Sequence, residues 1–166
     1  MTNGSASRIL LSPRPPQRLQ QVQIFGRLEI PRLGMNVVVL EGSDDDALAL
    51  GPGHLQGTAW PGEPGNTVIA GHRDMTFRAL RHIHLRDRIQ LSGDRTYTYV
   101  VRKILIVDPQ NRAILEDSNA PTLTLITCYP FRYIGSAPKR FVIQASLANI
   151  MQTETCALRD RTSSAN

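Results

Sequence analysis

Cysteine is scarce: the 166 residues contain two, Cys128 and Cys156. Two cysteines cannot build a disulfide scaffold, and their spacing is not that of a metal site, although a single bond between them stays open. Long apolar runs are missing as well; none approaches the roughly twenty residues that a membrane-spanning helix needs. The opening MTNGSASRILLSPRPPQ lacks the hydrophobic centre of a secretory signal. The chain as given is expected to be soluble, with any membrane association supplied by a segment outside it. Aromatic residues contribute only 5%, and no helix-turn-helix, zinc-finger or aromatic RNA-binding signature accompanies the basic residues, so nucleic acid is excluded as the expected partner.

The charge balance is 19 Lys and Arg against 14 Asp and Glu, a net +5 that favours anionic surfaces. Arg8, Arg14 and Arg18 lie in a stretch with Pro13, Pro15 and Pro16, so part of the excess belongs to a tail that resists helix and sheet. With 41% hydrophobic residues, the length suits one compact domain. The expected organisation is a flexible tail over 1–20, one domain over 21–150 and a polar, frayed end over 151–166.

Short β-rich runs dominate the middle. Leu28 and Ile30, then Met35 to Leu40, read as two strands separated by Pro31 and Gly34, a hairpin-like start. Ser43 and the acidic run Asp44, Asp45 and Asp46 before Ala47 to Leu50 give the pattern of a short capped helix with negative charge at its positive end, stopped by Gly51. A calcium loop is the competing reading of the three aspartates, but the regular ligand spacing is lacking. Residues 51–65 hold five glycines and three prolines and must be loop with at most brief extended pieces.

Asn66 to Ala70 (NTVIA) is an apolar strand, and Thr76 to Leu80 is compatible with one helical turn. Arg88 to Leu91 and Tyr97 to Val107 form a hairpin joined by Ser92, Gly93 and Asp94. Asn111 to Leu115 is ambiguous. Thr122 to Thr127 (TLTLIT) is a strand ending at Cys128, and Arg140 to Leu147 is another. About eight short strands with little helix predict a mainly all-β fold, a closed or nearly closed eight-stranded β-barrel.

Acyl transfer through sulfur needs an activatable thiol, a proton donor for the departing amine, and positive or hydrogen-bonding character where the carbonyl oxygen becomes negative. Cys128, at a strand end before the irregular YPFRYIGSAPK loop, is the candidate thiol; a lone free cysteine is otherwise most often a small buried hydrophobe. His72 closes NTVIA in the phrase AGHRD. His82 and His84 fall in the basic, surface-type RHIHLRD segment, whereas His54, in GPGH, competes with His72, and residue chemistry alone does not rank these two. Arg140 follows Cys128 by twelve residues, so a returning strand brings its planar, always-charged guanidinium near the sulfur. Lys139 is weaker because successive strand residues point to opposite faces.

Together, GPGHLQGTAWPGEPGNTVIAGHRD, TLTLITCYPF and YIGSAPKRFVIQ resemble the sortase family, and within it the class D-like and related Gram-negative-type members. The resemblance runs from about Phe25 to Leu147. It implies an eight-stranded barrel with His72, Cys128 and Arg140 at a groove, cleavage of an LPXTG-like sorting signal between Thr and Gly, and transfer of the acyl group to an amine. The TLXTC motif falls on Thr124 to Cys128, which sets Thr127 and Ile126 at the substrate groove, with His54 as an accessory residue. The implied partners are a surface protein's sorting signal and an amine acceptor, in an extracytoplasmic, cell-envelope setting with a membrane anchor. No metal or organic cofactor is needed. Two other classes compete: a cysteine peptidase that hydrolyses the same kind of signal, and a non-catalytic barrel that binds an anionic envelope polymer.

Overall fold

The computed structural model describes residues 23–132 and 134–148. The expected tails, 1–20 and 151–166, lie outside the described residues, as does Cys156. Eight strands close into one barrel in the order β1-β2-β3-β4-β7-β8-β6-β5: β1 Ile24–Ile30, β2 Met35–Glu41, β3 Gly53–His54, β4 Asn66–Ala70, β5 Arg88–Ser92, β6 Thr96–Val107, β7 Thr122–Tyr129 and β8 Lys139–Leu147. Antiparallel pairing of β1 with β5 closes the circle, and two neighbouring pairs, β2–β3 and β4–β7, run parallel. Closure leaves no long open edge to pair with another chain. Among the described residues, no helix is long and apolar enough to cross a membrane.

The short helix expected after the acidic run is α1, Asp45–Leu50; Asp44 caps it by accepting the Ala47 N–H at 2.9 Å, and Gly51 follows its last turn. The single turn expected at Thr76 is longer, a 3-10 helix over Thr76–His82, because Phe77 and Leu80 fall three residues apart and both enter the core. The ambiguous segment near Asn111 contains a 3-10 turn, Ala113–Leu115.

Alternation along each strand sorts side chains into the barrel or onto its outer face. Leu28, Ile69, Leu91, Leu123, Leu125 and Ile143 are inside and wholly buried. Burying each such side chain contributes roughly 1.5–3 kcal/mol. The brief extended piece within 51–65 is β3, where a Cβ on Gly53 would stand 1.9 Å from the Gly42 carbonyl oxygen; only glycine lets these backbones approach.

One polar staple ties the turn after β1 to the approach of β5. Arg32 donates from Nε and Nη2 to the two carboxylate oxygens of Asp87, each at 2.5 Å, and the His84 N–H donates to the same carboxylate at 2.8 Å. These donors, Arg32 first, hold the buried Asp87 carboxyl below the usual carboxylate range. A depressed folded-state value adds stability above the unfolded carboxylate range, and that stability disappears as pH falls through the folded-state value. Asp87→Asn is therefore expected to lower Tm at pH 7, with the gap to the wild type narrowing below about pH 4. Thermal unfolding of both proteins from pH 7 to pH 3 checks this, and a gap independent of pH would refute it.

Candidate active site

Three neighbouring strands, β4, β7 and β8, carry the site on their outer face. Within the antiparallel β7–β8 pair, Cys128 stands directly opposite Arg140. Within the parallel β4–β7 pair, Ala70 is level with Ile126, and the Gly71 N–H carries the alignment further by donating to the Ile126 carbonyl at 3.1 Å. His72 thus leaves β4 level with Cys128. The row His72, Cys128, Arg140 crosses three strands, and strand spacing of about 4.8 Å gives it a backbone width of about 10 Å.

All three side chains line one cleft of about 360 Å³, together with Arg73, Asp74, Gly135, Ser136 and Ala137. His72 is exposed, while Cys128 and Arg140 are half-buried. Cys128 is a free thiol. Arg140 donates from Nη1 to the carbonyls of Ala137 at 3.3 Å and Lys139 at 3.1 Å. One nitrogen so anchored leaves further N–H donors on the planar fork for the cleft. Lys139 points away, as alternation requires, and pairs with Asp108 at 2.6 Å.

Toward the far end of β4 and β7 the outer face is covered: the buried Asn66 accepts from Thr124 Oγ1 at 2.7 Å and donates to the carbonyls of Ile114 and Glu116. At the near end the β7–β8 connection folds over. Its base is fixed by Phe131 against Tyr129 and Phe141, with ring centroids 6.2 and 5.1 Å apart. Its far side is tied down by Arg73, which donates from Nη2 to the Gly135 carbonyl at 3.3 Å.

Cys128 and Arg140 lie one position further inside their strands than the sequence implies. The Cys128–Arg140 pair is followed by one more, Tyr129–Lys139, before Pro130 and Pro138 end the ladder, since proline has no N–H to donate. None of the three residues expected to serve the substrate, Thr127, Ile126 and the accessory His54, lines this cleft. Thr127 is buried on the opposite face from Cys128, where its Oγ1 donates to the Gly71 carbonyl at 2.6 Å. Its hydroxyl thereby fixes the residue just before His72.

His54 is 2% exposed, with its ring stacked on Phe25 at 3.9 Å. Its Nδ1 lies 3.0 Å from the Glu41 carboxylate and its Nε2 lies 2.9 Å from Thr58 Oγ1. It does not line the cleft. Ile126 keeps to the Cys128 face, half-buried and two residues back, but outside the cleft lining. Arg73 and Asp74 were visible as polar neighbours in AGHRD; Gly135 to Ala137 fall in the YIGSAPKRFVIQ stretch that carries the resemblance, but were not singled out as site residues. Among the described residues, no group of His, Cys, Asp or Glu is arranged to hold a metal ion.

A thiol, an imidazole and a guanidinium in one row on the outer face of a closed barrel can supply the groups that acyl transfer through sulfur needs. The family model described as Sortase domain matches residues 28–148, and the chain belongs to the sortase family. It is 38% identical over 123 residues to Sortase D of Bacillus subtilis (strain 168), covering 73% of this chain and 62% of that protein. Among solved structures it is similar to a Clostridium perfringens Sortase D5 transpeptidase, with TM-score 0.69, 27% identity and coverage of 80% of this chain and 85% of that one. It is also similar to Clostridium perfringens sortase C solved with the C-terminal cell wall sorting motif, with TM-score 0.70, 25% identity and coverage of 84% and 79%.

Proposed function

We propose that the protein is a cysteine transpeptidase of the cell envelope that cleaves an LPXTG-like sorting signal between Thr and Gly and joins the new acyl end to an amine. The observation that carries this reading is the row of His72, Cys128 and Arg140 along one cleft. In the first half-reaction the Cys128 thiolate attacks the threonine carbonyl carbon, and a C–S bond forms. The oxygen, now negative, is met by the Arg140 guanidinium and a backbone N–H. The C–N bond breaks, the leaving amine takes a proton from His72, and a thioester remains.

In the second half-reaction an incoming amine attacks the thioester carbonyl and gives its proton to His72. The C–S bond breaks, sulfur leaves as thiolate, and a new amide is released. Water in place of the amine gives hydrolysis. The chemistry is complete with protein groups alone. Membership of the family and the likeness to a sortase solved with a sorting motif support the substrate class.

Incubation with an LPXTG-type peptide followed by mass spectrometry tests this. The expected result is an acyl adduct on Cys128 that disappears when an amine is added, with appearance of the ligated peptide. Release of the hydrolysed peptide alone, whatever amine is supplied, would make the protein a peptidase instead. Absence of any adduct across a library of such peptides would overturn the reading.

A further inference from the structure

The Cys128 cleft accounts for one substrate, and a transpeptidase has two. A second and larger groove, of about 470 Å³, adjoins the segment that carries His72. Residues 72–74 line the cleft, and the next two, Met75 and Thr76, line the groove. The link is stiff. The Phe77 N–H donates to the His72 carbonyl at 3.2 Å, and the Phe77 ring fills the space where Gly71 would carry a Cβ. The 3-10 helix Thr76–His82 therefore starts locked against the residue before His72.

That helix has three residues per turn, so side chains three apart lie one above the other. Phe77 and Leu80 make the buried ridge. Arg78 and Arg81 make the neighbouring one, exposed and lining the groove about 6 Å apart along the axis. Among the described residues, neither forms an ion pair with a carboxylate. Arg81 instead donates from Nε to the His82 ring at 2.9 Å, which leaves its terminal N–H groups for a ligand. The opposite wall carries the apolar Leu33 and Val37 beside the polar Asn36, whose amide is taken up by Arg27 and Glu29, and Met75 extends it on the cleft side. Two guanidinium forks without a carboxylate partner, beside a wall with apolar Leu33 and Val37, suit a ligand with an anionic group and a short carbon chain, and guanidinium is the side chain of choice for phosphate and carboxylate.

Given the transpeptidase reading of the Cys128 cleft, on which this inference rests, we propose that the groove holds the amine acceptor, and that Arg78 and Arg81 select acceptors bearing a phosphate or carboxylate group. An acceptor held there presents its amine to the thioester from the His72 side, next to the imidazole that takes its proton. Arg140 lies at the other end of the row, so the oxyanion and the acceptor do not compete for space.

Transfer from a fixed sorting peptide is measured with phosphoethanolamine, β-alanine and ethanolamine, in the wild type and in the double variant Arg78→Ser, Arg81→Ser. The wild type is expected to show a KM about tenfold or more lower for an anionic amine than for ethanolamine, a preference that fades with added salt. In the double variant the preference is lost, while thioester formation, hydrolysis and transfer to ethanolamine stay unchanged. The phosphate and carboxylate arms show which anion the groove takes. Equal KM values for all three amines in the wild type, or a preference that survives in the double variant, would overturn the proposal.

A binding experiment keeps the groove's test separate from that of the reaction. Inorganic pyrophosphate titrated into Cys128→Ala protein is expected to shift backbone amide resonances of residues 75–82, and not to do so when Arg78 and Arg81 are also replaced. Failure of the wild type to acylate, with these shifts present, counts against the transpeptidase reading alone; absence of the shifts counts against the groove.

Discussion

Cys128→Ala is expected to lower the transfer of an LPXTG-type peptide to an amine by at least about 10⁴-fold, because in the proposed mechanism the acyl group passes through its sulfur. The remaining groups still bind and polarise the carbonyl, so a small residual rate over water is expected rather than none. Cys128→Ser is expected to fare little better, since a serine hydroxyl ionises far less readily than a thiol. The fold should tolerate both changes. Cys128 is half-buried on the outer face, away from the barrel interior, so the stability change is expected to stay within about 1 kcal/mol. Peptide-ligation rates and Tm values for wild type, both variants and Cys156→Ala check this. Activity in Cys128→Ala above about one hundredth of wild type, or its loss in Cys156→Ala alone, would dismiss Cys128 as the nucleophile.

The strands were readable because most of them carry their own pattern. TLTLIT and RFVIQASL are apolar and β-branched, with turn residues at both ends, and each reappears within a residue or two of its predicted limits. The short β3 was not readable as a strand: Gly53 and His54 have no pattern, and their place is set by contact with β2 and β4. Strand order was equally hidden. The parallel β4–β7 pair, which sets His72 beside Cys128, joins segments more than fifty residues apart, and nothing local encodes it.

The same distinction runs through the site. The Cys128 and Arg140 pairing was legible from their short separation across one loop. His72 and His54 could not be ranked by residue type, because what separates them is tertiary: one leaves a strand end into an open cleft, and the other is stacked under Phe25. Thr127 was legible in principle. In TLTLITC the leucines at 123 and 125 mark the inner face, and alternation sends Thr127 in with them and Cys128 out. The groove beside Arg78 had no signal at all, since a 3-10 ridge of two arginines reads in sequence as ordinary surface charge.

Arg140→Ala is expected to reduce kcat for acylation by about 10²- to 10³-fold, the usual cost of one donor to a developing oxyanion, or about 3–4 kcal/mol of barrier. The expectation rests on register: Arg140 is the direct cross-strand neighbour of Cys128, and its Nη1 is held back by two main-chain carbonyls while the fork faces the cleft. A charge so fixed needs little reorganisation when the oxyanion forms, and so favours the transition state over the bound peptide. The loss should therefore fall on kcat, with KM for the peptide changed less than about threefold. Arg140→Lys retains the charge but not the planar fork, so it is expected to recover less than about a tenth of the activity. Steady-state kinetics of both variants, alongside Tm, separate this from a structural role. A defect confined to KM would make Arg140 a peptide-binding group, and full rescue by lysine would mean that charge alone, without directed hydrogen bonds, serves the reaction.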